Sequence, residues 1–151
     1  MKEFKNVNDI LDFAIKAEQD AVDFYTSLAN QAKNNEMKLI FEEFAKEEVA
    51  HKARLEKIKV EQIFVLAEEK VNDLKISDYL VDVKATPDMS YPDALVLAMK
   101  KEKAAFKLYS ALAARATDLS LTKIFQSLAL EESKHKLRFE IEYDDNVMRE
   151  N

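Results

Sequence analysis

Four stretches of this chain carry apolar residues at alternating steps of three and four, the spacing that turns one face of an α-helix toward a core. The first seam is Leu11, Ala14, Glu18, Ala21, Tyr25, Leu28 and Ala32, and the second is Met37, Phe41, Phe44, Glu48, His51, Leu55 and Ile58. The third is Leu95, Ala98, Glu102, Ala105, Tyr109, Leu112 and Ala116, and the fourth is Leu121, Phe125, Leu128, Glu132, His135 and Phe139. These series predict helices over about 7–32, 35–68, 91–117 and 119–146. Asn6, Asn34, Ser90 and Asp118 stand where N-caps are expected, because a short polar side chain can accept from the first free backbone N–H groups. Asp9 and Asp93 follow their caps in a capping-box-like placement, and Pro92 falls in a first turn, where its missing N–H costs nothing. Residues 69–90, which hold Pro87, lose the long-helix pattern and read as a connector with one short helix near 77–81.

The first two helices recur as the last two at an offset of 84 residues. Residues 40–56, IFEEFAKEEVAHKARLE, and residues 124–140, IFQSLALEESKHKLRFE, share nine identities in seventeen positions without a gap. One helical hairpin is therefore used twice. Short hairpin turns and one long connector predict an all-α, single-domain four-helix bundle over residues 1–151: hairpins at about 7–68 and 91–146, with a crossover at about 69–90 between them.

Composition narrows the chemistry. With no Gly, phosphate-cradling Gly-rich loops are excluded, and with no Cys, disulfides, thiolate metal sites and cysteine nucleophiles are too. The net charge of −6 disfavours binding to nucleic acid or to an anionic membrane surface. No run approaches the ~20 apolar residues of a membrane span, and the N-terminus has no secretory h-region, so a soluble cytoplasmic protein is expected.

Each apolar seam is interrupted at one level only. There the four helices supply Glu18, Glu48, Glu102 and Glu132 together with His51 and His135, the only histidines in the chain. Glu18 lies sixteen residues before the cap at Asn34 and Glu48 fourteen after it, so at ~1.5 Å per residue they return to within about one turn of the same height. Within the second and fourth helices, Glu-x-x-His puts both side chains on one face. A lone Glu-x-x-His is ordinary surface decoration. The doubled motif, each time on an apolar seam and level with a seam Glu, points to metal. Four uncompensated carboxylates cannot share a core, whereas two divalent cations would cancel their charge. Tyr25 and Tyr109, two turns beyond Glu18 and Glu102, are candidates to hydrogen-bond the ligating carboxylates, and also suit a plain core. Glu47 and Glu131, one step off the seam beside the candidate ligands, are expected to be solvated or in light contact with the ligating side chains.

With these residues in place, the sequence resembles the rubrerythrin branch of the ferritin-like di-iron proteins over about residues 8–62 and 91–143. The resemblance implies a ferritin-like bundle, Glu18 and Glu102 as terminal ligands, Glu48 and Glu132 as bridging ligands, and His51 and His135 each on one metal. It implies two iron ions, with manganese accepted by the same donors, and reduction of hydrogen peroxide or dioxygen. The family's further ligating Glu, one turn after the third-helix Glu, is Ala105 here, and its repeat counterpart is Ala21. The Cys-ligated rubredoxin domain of the family has no counterpart in this Cys-free chain, so an external electron donor, such as a rubredoxin-like protein, is expected. A homodimer is expected as well. Two other readings of the same pattern are a ferroxidase of an iron-storage shell and a non-redox helical module whose site is structural or empty.

Overall fold

The computed structural model describes residues 3–81, 83–86 and 88–148. Pro87, expected to interrupt helical pattern in the connector, lies outside the described residues. Four long helices dominate: α1 (Val7–Gln31), α2 (Asn35–Glu61), α4 (Tyr91–Arg115) and α5 (Leu119–Tyr143), with a short α3 (Glu68–Asn72) between the halves. No helix among the described residues is long and apolar enough to cross a membrane.

All four predicted caps form. Asn6 accepts from the Asp9 N–H, Asn34 from Met37, Ser90 from Asp93 and Asp118 from Ser120. The capping box at Asn6 is shifted by one residue, since the Asp9 carboxylate accepts from the Lys5 N–H at 2.9 Å.

The helices pack as two hairpins, α1 with α2 and α4 with α5, and α1 lies directly against α4. The apolar seams form two clusters. One gathers Leu11, Leu55, Ile58, Leu112, Leu121 and Phe125. The other gathers Leu28, Met37, Phe41, Leu95, Ala98 and Phe139. The Glu and His level lies between them along every helix.

The second helix departs from expectation. It ends at Glu61 rather than near 68, and Gln62 takes the left-handed conformation (φ 54°, ψ 36°). Seven more helical residues would project roughly 10 Å beyond the bundle. The break instead turns Phe64 back onto Phe125, ring centroids 5.2 Å apart, and Val71, Leu74 and Ile76 follow it into the same cluster. The connector therefore starts at residue 62 and contains α3, which the periodicity does not predict. Its other helical turn is a 3₁₀ turn over Ile76–Asp78, shorter and slightly earlier than the helix expected near 77–81. The fourth helix stops at Tyr143 and passes into a π-type turn, Asp144–Met148.

From Phe64 at one end of the bundle, the connector runs to Tyr91 at the other, where the Tyr91 ring meets Phe41 at 6.3 Å. Midway, Tyr79, Leu80 and Val81 pass over α1 and α4 at the level of the polar layer. That passage positions the site described next.

Candidate metal centre

Glu18 comes from α1, Glu48 and His51 from α2, Glu102 from α4, and Glu132 and His135 from α5. All six are buried, none more than 3% exposed. They converge as two overlapping tetrads. Glu18, Glu48, His51 and Glu132 form one, and Glu48, Glu102, Glu132 and His135 form the other, with the facing atoms of each within 4.8 Å of one another. Glu48 and Glu132 belong to both.

Both imidazoles turn Nδ1 inward. His51 Nδ1 lies 2.7 Å from Glu132 Oε1, 3.4 Å from Glu48 Oε1 and 3.7 Å from Glu18 Oε2. His135 Nδ1 lies 3.3 Å from Glu48 Oε1 and 3.6 Å from Glu102 Oε1. The outer nitrogens are held across the bundle. His51 Nε2 meets Glu131 Oε2 of α5 at 2.8 Å, and His135 Nε2 meets Glu47 Oε2 of α2 at 2.7 Å. Glu47 and Glu131, expected to be solvated or in light contact with the ligating side chains, are 39% and 36% exposed, and each reaches from one hairpin to the histidine of the other. A sequence signal for them exists: each directly precedes the Glu of a Glu-x-x-His, at the repeat offset. A proton on Nε2, donated to the outer carboxylate, leaves the Nδ1 lone pair facing the cluster.

The tyrosines cross in the same manner. Tyr25 O–H of α1 donates to Glu102 of α4, and Tyr109 O–H of α4 donates to Glu18 of α1. Burial, then the charges of the surrounding carboxylates, push both phenols well above their ordinary pKa, so they are neutral donors.

The residues fit a pair of cations on the chemistry of what they leave unpaired. Glu18 Oε2, Glu48 Oε1, His51 Nδ1, Glu102 Oε2, Glu132 Oε1 and His135 Nδ1 are buried without a hydrogen-bond partner of acceptable geometry. That is one atom from each of the six residues, all facing one small volume. Buried polar atoms are otherwise nearly always paired. Protonation tells the same story. Burial, followed by the charge of Glu18, raises Glu48 well above the carboxylate range, and burial, followed by the charge of Glu102, does the same for Glu132. Burial alone would lower His135, but the close approach of the Glu102 and Glu48 carboxylates outweighs it and pushes it up to about 11. His51 is raised for like reasons through Glu18 and Glu131. Glu18 runs the other way: burial would raise it, but the close approach of Glu48 and His51 and the charge of His51 bring it below its ordinary value. Protons thus neutralise the layer when no cation is bound.

A cavity of about 250 Å³ opens beside this layer, between α1, α4 and the connector. Glu18, Glu48, Glu102 and Glu132 contribute to its lining, and so do Ala21 and Ala105, the two alanines set against the extra Glu of related proteins.

The sequence model of the Rubrerythrin family matches residues 9–92 and 93–150. This chain belongs to the Rubrerythrin family. The solved structures similar to this Rubrerythrin-family chain include a protein of Thermotoga maritima described as a candidate ferritin-like diiron-carboxylate protein. It is 22% identical, with a TM-score of 0.76 over 97% of this chain and 99% of that one. A hypothetical protein of Pyrococcus furiosus is 26% identical, with a TM-score of 0.71 over 89% of this chain and 86% of that one. No curated protein matches. The ferritin-like fold is thereby shown, with a buried carboxylate–histidine cluster compatible with metal at its centre.

Proposed function

We propose that this Rubrerythrin-family protein is a non-haem di-iron oxidoreductase that reduces hydrogen peroxide, or dioxygen, with electrons from an external donor. The observation that carries the reading is the pair of overlapping buried tetrads sharing Glu48 and Glu132. In it, Glu18 and His51 would hold one ion, Glu102 and His135 the other, and Glu48 and Glu132 would lie between both. Manganese suits the same oxygen and imidazole donors. When bound, the metal pair would supply a two-electron reductant, one electron from each ion.

The protein's own share is positional. Glu131 and Glu47 hold the two imidazoles with Nδ1 inward, fixing tautomer and ring direction. Tyr25 and Tyr109 each donate to the carboxylate of the neighbouring hairpin, which ties α1 to α4 at the height of the site. The apolar clusters on either side keep bulk water away from the layer, and the cavity under the connector provides one route in for a small oxidant. A rubredoxin-like protein is a suitable donor, and a homodimer is the proposed assembly.

The test is anaerobic loading with Fe(II) followed by peroxide in a stopped-flow spectrometer. The expected result is rapid oxidation of the loaded protein. A loaded sample that peroxide and dioxygen both leave ferrous would overturn the proposal.

A further inference from the structure

We infer that the cavity beneath the connector seats the body of an organic hydroperoxide, so that the site also accepts oxidants larger than hydrogen peroxide. The inference rests on the proposed redox function and adds the substrate class. It starts from size. The cavity measures about 250 Å³. That exceeds the ~150 Å³ apolar cavity that admits benzene, enough for a body of about six carbons.

The lining decides the chemistry. The metal-facing carboxylates line it, Phe13, Ala21, Leu80, Ala104, Ala105 and Leu108 supply apolar surface, and Lys16, Asp20 and Lys101 add charged groups. Small side chains stand on both α1 and α4 where larger ones would close the space. A hydrocarbon body gains by removing such apolar surface from water. A lining that combines carboxylates with alkyl surface suits a molecule that carries reactive oxygens on a hydrocarbon body. The reaction balances as a two-electron reduction: the O–O bond of ROOH breaks, the terminal oxygen leaves as water and the other stays on ROH. The two electrons come from the ferrous pair of the proposed function and the two protons from solvent.

Two measurements test this. Zinc-loaded protein, which has no redox activity, is titrated with hexan-1-ol by saturation-transfer NMR. Binding is expected, and Ala104→Leu and Ala105→Leu, which enlarge two side chains of the lining, should each weaken it at least tenfold, with circular dichroism reporting that the variants are folded. No binding, or binding that neither folded variant alters, overturns the inference. Ferrous protein is then mixed with hexyl hydroperoxide and, separately, with hydrogen peroxide. The expected result is oxidation by both, with Ala104→Leu slowing the organic oxidant at least tenfold more than it slows hydrogen peroxide. Equal slowing of the two, or oxidation by hydrogen peroxide alone, overturns the inference and leaves the proposed function standing. Failure of both peroxides overturns the inference, and failure of dioxygen as well overturns the proposed function.

Discussion

At the scale of single residues, the side chains that matter most for the site are two that touch no metal-facing atom. Glu47 and Glu131 each hold the outer nitrogen of a histidine from the opposite hairpin. Partners of this kind change metal affinity 10- to 100-fold when removed. Glu131→Gln and Glu47→Gln should each weaken metal binding by about that factor, read in a competition titration with a coloured chelator, while melting of the metal-free protein moves little because both side chains are more than a third exposed. Tyr25 presents the opposite case, being fully buried and bonded to Glu102. Tyr25→Phe leaves a buried carboxylate oxygen without its donor, so metal-free stability should fall by about 1–3 kcal/mol in urea denaturation. The tyrosines and all six inward-facing side chains of the buried layer were legible in the sequence because the helical period alone decides which face they share. Glu47 and Glu131 were legible only in part, because one step off the seam normally means solvent, and what captures them is a histidine 80 or more residues away.

At the scale of elements, caps and seams follow local rules and were legible for that reason. Asn6, Asn34, Ser90 and Asp118 accept backbone N–H groups as short polar side chains do. The end of α2 was not legible. A chain without glycine lacks the commonest stop signal, and the residues past Glu61 carry no Pro or Gly before the helix formers Leu66, Ala67 and Glu68 resume. The stop is tertiary: Phe64 gains Phe125, and Gln62 takes a left-handed conformation that disfavours a residue with a Cβ by about 1–2 kcal/mol. Gln62→Gly should therefore raise stability by up to ~1 kcal/mol, since glycine's greater freedom in the unfolded chain offsets part of the gain, and the midpoint of thermal unfolding should rise by a few degrees. Phe125→Ala removes the ring on which the connector closes and should lower stability by about 3–5 kcal/mol.

For the molecule as a whole, the buried layer sets how stability responds to pH and to metal. Glu48, Glu132, His51 and His135 all bind protons more tightly when folded than their ordinary values of 4.5 and 6.5. A group raised in this way contributes stability that is complete below its unfolded pKa and is lost as pH rises through the folded one. Glu18, lowered, contributes in the opposite sense, its share being lost as pH falls through its folded pKa. Glu18's contribution changes only below its ordinary 4.5, so above that only the raised groups act, and the metal-free protein should melt at progressively lower temperature as pH climbs from about 6.5 toward about 11. The metal-loaded protein should lack that decline, because cations take over the neutralising role, and the gap between the two curves should widen with pH. The bundle, its doubled hairpin and its buried level were legible from the repeat and the seams. The cavity was not, because a space between α1, α4 and a connector is a property of packing that no periodicity records.

The central claim is that two cations neutralise one layer of carboxylates in an apolar core. Its most direct test is an anaerobic Fe(II) titration of the metal-free protein, reading bound metal and thermal stability together. Saturation at two ions per chain is expected, with stability rising by about 2.7 kcal/mol for each site when free metal reaches ~100 times its dissociation constant. A folded protein that takes up no iron, or takes it up without any gain in stability, would contradict it.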